Sequence, residues 1–224
     1  MVLDHVQTRV LGSLIEKEIT TPENYPLSLN ALVNACNQKS SRDPVMELPE
    51  DEVRQALHTL EDEQLVSTLH DSRVPKYEHR IRTVLNLRRD ETAALCLLML
   101  RGPQTAGEIR GRSERLFAFD DIAAAQATLD RLASREAASE SSPTSSGPLT
   151  LLLPRQPGSR EARYTHLLSG TPDISQLASQ TAAPQSSAPR ESIDSSRIER
   201  LEQEVANLVS AIATLQQRLD RLET

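Results

Sequence analysis

Three arginines, Arg110, Arg112 and Arg115, fall within six residues of one another, and Phe117 and Phe119 follow directly. A guanidinium offers a planar fork of N–H donors that matches phosphate and carboxylate oxygens in pairs. A second constellation occurs twice at identical spacing: Arg73-x-x-Lys76-Tyr77-x-His79 and Arg160-x-x-Arg163-Tyr164-x-His166. A smaller basic group, Lys39-Ser40-Ser41-Arg42, lies further towards the N-terminus. Lys39, Arg42, Arg73, Lys76, Arg110, Arg112, Arg115, Arg160 and Arg163 are therefore the residues expected to meet nucleic-acid phosphate or an acidic partner surface. The competing reading pairs the arginines with Glu108 and Glu114 and uses the phenylalanines to cap a core. On an alternating strand Lys76 and Glu78 face one way and Tyr77 and His79 the other, which makes Tyr77 and Tyr164 core anchors rather than stacking platforms.

Catalysis finds no support in the sequence. It holds no Gly-rich phosphate loop, no HExxH, no CxxC and no nucleophile elbow, and seven glycines leave little material for a substrate-cradling loop. The five histidines show no ligand spacing, so neither a metal nor a cofactor is expected, and the protein reads as non-enzymatic. Cys36 and Cys96 sit in apolar helical patterns and are expected as buried free thiols. No signal-peptide pattern is seen, and the longest apolar run, Ala93 to Leu100, is far too short to span a bilayer. No membrane is expected as a partner, and the expected location is the cytoplasm.

One segment argues against straightforward groove reading. In "PEDEVRQALHTLEDEQLV", Val53, Leu57, Leu60 and Gln64 share one face, while Glu50, Asp51, Arg54, His58, Glu61 and Asp62 face outward. Duplex DNA carries about one negative charge per ~1.7 Å of axis, so this face would be repelled. The whole chain carries −7, divided as −4 in residues 1–90, 0 in 91–170 and −3 in 171–224. No part is globally basic, and any contact with nucleic acid must be local.

These residues need elements to position them. Val6, Val10, Leu14 and Ile15 recur at helical spacing, and Thr20-Thr21-Pro22 stops that helix. A second helix starts at Ser28 as N-cap, the acidic helix is the third, and "LVSTL" with "KYEHRI" makes a hairpin. Three helices and a hairpin is the order of a winged helix. The order then repeats in "RRDETAALCLLMLRG", "TAGEIRGRSERL" (with a Thr105/Glu108 capping box), "DDIAAAQATLDRLASRE" and the pair "LTLLL" and "RYTHLL". With 38% hydrophobic and 2% aromatic residues, several small cores fit better than one large one. The expected class is mostly α with small β-hairpins (α+β): winged-helix units at 1–87 and 88–170, with a disordered insertion at about 137–148.

After Gly170 the composition changes. Residues 171–195 are rich in Ser, Ala, Pro and Gln and read as a flexible linker. Residues 196–224 carry four heptads, with Ile198, Val205, Ile212 and Leu219 at a positions and Leu201, Leu208, Leu215 and Leu222 at d positions. β-branched a positions with Leu at d favour a parallel two-stranded coiled coil, in which Arg197 would face Glu202 and Arg218 would face Glu223 of a second copy. The alternative is a single amphipathic helix docking on its own domains.

The stretches "ENYPLSLNALVNACNQKSSRDPVM", "PKYEHR", "LRGPQTAGEIRGRSERLFAF" and "LPRQPGSREARYTHLL" resemble the bacterial YceH family over about residues 4–170. That resemblance implies two winged-helix domains in tandem and carries no established activity. The sequence thus leads to a self-associating, DNA-binding, regulator-like protein using wings and basic loops, with a protein-interaction scaffold as the alternative.

Overall fold

Asp4 starts the first helix by accepting from the backbone N–H of Gln7 at 2.8 Å, while its own N–H donates to the Gln7 side chain at 3.0 Å. In this computed structural model, residues 2–70, 73–136, 147–155 and 159–172 are described. Helix α1 runs His5–Thr20; strand β1, Leu27–Ser28, leads into α2, Leu29–Cys36; α3 is Glu50–Asp62. Strands β2, Val66–Leu69, and β3, Lys76–His79, form the first hairpin. After the short α4, Ile81–Val84, the order resumes with α5, Arg89–Arg101, α6, Ala106–Arg112, and α7, Ile122–Ala133. The second hairpin is β4, Thr150–Leu152, and β5, Tyr164–His166. The protein is thus mixed α+β, with seven helices and two small antiparallel sheets among the described residues.

The repetition seen in the sequence extends to hydrogen-bond register. In the first hairpin Val66 opposes His79, Ser67 opposes Glu78 and Thr68 opposes Tyr77. In the second, Thr150 opposes His166, Leu151 opposes Thr165 and Leu152 opposes Tyr164. The match continues on the other side of each inner strand. Leu27 pairs with Tyr77, and Gln104 forms an isolated bridge to Tyr164. Each bridging residue immediately precedes the N-cap of the next helix: the Ser28 hydroxyl accepts from Ala31 N–H and the Thr105 hydroxyl from Glu108 N–H. Each tyrosine therefore holds the same structural position, as its place in the repeated motif requires.

The expectation of several small cores is corrected, because the buried side chains of both halves form one contiguous core. Helix α5 is its centre. Every residue from Glu91 to Leu100 is buried, which explains a helix apolar on all faces. Helix α1 lies against it through Gly12, where an added Cβ would stand 2.9 Å from Leu100 Cδ2. The Cys96 thiol donates to the Gly12 carbonyl at 3.4 Å across this seam. Both cysteines are free and buried, and burial pushes both thiols up, Cys36 to about 11.

Two local expectations are also corrected. Gln64 does not share the buried face of α3: it is exposed, past the helix end, at φ 59°. There it ends the helix, with Gln64 N–H donating to Glu61 O at 2.9 Å and Leu65 N–H to Leu60 O at 2.8 Å. The strand read through "KYEHRI" ends at His79, and Ile81 begins α4. The coiled-coil residues Ile198 to Leu222, the linker from Asp173 onward and the insertion at 137–146 lie outside the described residues.

Candidate functional site

The loop after α2 turns one of the expected phosphate contacts inward. Arg42 has no exposed side-chain surface and makes a two-pronged pair with Glu16, at 3.0 and 2.6 Å. Its guanidinium also donates to the Ala35 carbonyl at the end of α2, at 2.8 and 3.2 Å. This corrects its assignment as a binding residue. Four donor contacts of Arg42 thus fix the loop to α1 and α2, and a fifth goes to the Ser41 carbonyl within the loop at 3.0 Å. Lys39 in the same loop is exposed.

Another part of the loop docks on the second half. Asp43 N–H donates to the Leu100 carbonyl at 2.9 Å, and Arg101 donates to the Ser41 hydroxyl at 2.8 Å. Burial and the nearby charges of Arg112 and Arg42 lower the Arg101 pKa. Arg101 was not singled out by the sequence reading, since it simply closes an apolar run.

On α6 and in the turn after it the three arginines separate. Arg112 is held by Gln104 Oε1 at 2.8 Å and Glu108 at 3.5 Å, one helical turn back. Arg110 and Arg115 are exposed, and their side chains make no hydrogen bond or ion pair among the described residues. Residues two apart on a helix do not face each other, so Arg110 and Arg112 on α6 point apart, and Arg115 lies in the turn after the helix. Phe117 and Phe119 stack edge-to-face, centroids 4.8 Å apart, and Phe119 is buried. Their half of the core-capping reading holds.

The second hairpin is tied to the same helix. Arg163 pairs with Glu108 at 3.0 Å and donates to the Pro103 carbonyl at 2.9 Å. Glu108 therefore closes the Thr105 capping box and holds both Arg112 and Arg163. Arg160 is exposed three residues before Arg163. In the first hairpin Arg73 is exposed and Lys76 half-buried.

The aromatic and histidine members of the repeated motif face the core. Tyr77 is half-buried and packs on it, and Tyr164 is 2% exposed. The Tyr164 hydroxyl donates to Asp130 at 2.5 Å, and burial with that carboxylate pushes its pKa up to about 12. His79 meets Glu18 through Nε2 at 2.9 Å, and that hydrogen bond lowers the Glu18 pKa. Burial pushes His166 down to about 4, so it is neutral at physiological pH.

Neither third helix offers cations to a groove. On α3, Glu50, Asp51, Glu52 and Asp62 are exposed, and its one arginine, Arg54, is paired with Glu50. On α7, Asp121 caps the helix, Asp130 accepts from Tyr164 and Arg131 pairs with Asp90, and just past its end Arg135 donates to the Leu85 carbonyl. The exposed positive charge thus sits on the α2–α3 loop, α6 with its following turn, the hairpins, and the stretch around α4 and the start of α5, where Arg80, Arg82, Arg88 and Arg89 are exposed. No helix among the described residues is long and apolar enough to cross a membrane.

A family described as "Protein of unknown function, DUF480" matches residues 3–159. The chain is 55% identical over 169 residues to a UPF0502 protein of Koribacter versatilis, covering 75% of this chain and 74% of the relative. It is 45% identical over 229 residues to a UPF0502 protein of Aeromonas hydrophila, covering 100% and 99% of the two chains. A UPF0502 protein of Citrifermentans bemidjiense is 50% identical over 206 residues, covering 91% of this chain and 88% of the relative.

Proposed function

This chain belongs to the DUF480 (UPF0502) family, and we propose that it is a non-enzymatic tandem winged-helix protein that binds double-stranded DNA as a regulator. The units are residues 1–87 and 88–170, and binding runs through wings and loops instead of the third helices. One observation carries this reading: Glu108 braces the second hairpin against α6 through Arg163, while Arg110 and Arg115 keep exposed, unpartnered guanidinium groups. A braced scaffold with free cations meets phosphate at little entropic cost, because the backbone is already ordered. Arg160, Arg73 and Lys39 extend the contact, Lys76 contributes from the first wing, and Arg112 and Arg163 act by bracing.

The remaining parts of the proposal rest on sequence. Residues 196–224 form a parallel coiled-coil dimer, 171–195 the linker, and the protein works in the cytoplasm. A protein-interaction scaffold has its own support in the exposed carboxylates of α3, which suit a basic protein partner.

Fluorescence anisotropy with a ~25-base-pair duplex, titrated between ~50 and ~200 mM salt, tests the DNA reading. Each phosphate contact adds about 0.9 to the slope of log K against log salt, so the six cations named give at most ~5 per protomer. Absence of binding to any duplex at ~50 mM salt contradicts the reading and favours the scaffold.

A further inference from the structure

A cleft of about 320 Å³ opens where α1, α4, the start of α5 and the turn after α6 meet. Its walls include Glu18, Ile19, Arg82, Arg89, Leu116 and Phe117. The geometry points to a binding site for a small molecule bearing a single carboxylate on an aromatic or branched apolar body.

The charged end is set by two arginines. Arg82 and Arg89 are both exposed, and neither side chain forms a hydrogen bond or ion pair among the described residues. Arg82 also helps to lower the Glu18 pKa, and two guanidinium forks on one cleft, neither of them hydrogen-bonded, form a carboxylate or phosphate receptor. Glu18 decides between those anions. It borders the same cleft, and its hydrogen bond to the buried His79 keeps it ionised, lowering its pKa. Two cations against one carboxylate leave one net positive charge, which matches a monoanion; a phosphate dianion would meet the Glu18 charge uncompensated.

The apolar end is set by Ile19, Leu116 and Phe117. The Phe117 ring is fixed edge-on by Phe119, so its free surface is a preformed wall. Thr92 also lines the cleft, but its hydroxyl proton goes to the Arg88 carbonyl at 2.7 Å, leaving it only as an acceptor. The volume is at the lower end of ligand pockets, which suits one ring with short substituents. None of the arginines assigned to DNA lines this cleft, and the proposal does not depend on DNA binding.

Fluorine NMR of 4-fluorobenzoate with the full-length protein tests the assignment. Saturable binding with a dissociation constant on the order of a millimolar is expected for so small a probe. Binding of 4-fluorobenzamide should be at least ten-fold weaker, and inorganic phosphate should compete poorly. The double variant Arg82→Gln/Arg89→Gln should lose benzoate binding ten-fold or more with no change in melting temperature, because both side chains are exposed and unpaired. Phe117→Leu should weaken it several-fold. No saturable binding, equal binding of acid and amide, stronger competition by phosphate, or full binding by the double variant would each overturn the proposal.

Discussion

Gly12→Ala tests whether the two repeated halves are one packed body. The added Cβ would lie 2.9 Å from Leu100 Cδ2, 3.0 Å from Leu100 Cγ and 3.3 Å from Met99 Cβ. Leu100 is 1% exposed, so its side chain would have to shift within the packed core. Overpacking of this kind costs ~1–3 kcal/mol. Replacing a mid-helix glycine by alanine returns ~0.5–1 kcal/mol. The balance is a net loss of up to ~2.5 kcal/mol, and at ~2–4 °C per kcal/mol for a chain of this size the melting temperature should fall by up to ~10 °C. Thermal unfolding followed by circular dichroism reads this directly. Coupling adds a second check: Leu100→Ala removes the clashing atoms, so the double variant should lose less stability than the two single losses together. A melting temperature at or above wild type for Gly12→Ala, with strictly additive losses in the double variant, would refute the close α1–α5 seam.

Further expectations follow from the same structure. Arg42→Ala strands the Glu16 carboxylate and the Ala35 carbonyl, so urea unfolding should show a loss of ~3–5 kcal/mol; an unchanged midpoint would return Arg42 to the surface. His166 should titrate by NMR near pH 4 in the folded protein. Its folded pKa lies below its unfolded value of ~6.5, so its contribution is complete above pH ~6.5 and is lost as pH falls towards 4, where the unfolded chain binds the extra proton. His166→Gln should flatten that part of the stability–pH curve, and a His166 midpoint near 6.5 would contradict its burial. Neutralising Glu50, Asp51 and Asp62 should leave DNA affinity unchanged or raise it; lost binding with the fold intact would mean that α3 reads base edges.

The helices were legible because their signals are local. Ser28 and the Thr105/Glu108 capping box mark starts that the backbone uses, and the apolar stripes of α1, α2 and α3 supply the core. The hairpins were legible through the repeated basic–aromatic–His spacing, which corresponds to a shared register opposite Tyr77 and Tyr164. What the sequence hid was long-range. Arg42 and Arg110 look alike in a string, but Arg42 meets Glu16, 26 residues away, whereas Arg110 meets no partner among the described residues. Gln64 fits the helical stripe by periodicity alone, yet its left-handed backbone ends the helix. The joining of two small cores into one depends on the approach of Gly12 to Leu100, which no window of local sequence contains.

The most direct measurement compares the salt dependence of duplex binding for wild type, Arg110→Ala/Arg115→Ala and Arg42→Lys, each checked for native circular dichroism. Loss of Arg110 and Arg115 should lower the slope of log K against log salt by about 1.8, two contacts at ~0.9 each, while Arg42→Lys should leave the slope unchanged. An unchanged slope in the Arg110/Arg115 double variant, with DNA still bound, would contradict the claim that the exposed arginines of α6 and its following turn carry phosphate contacts.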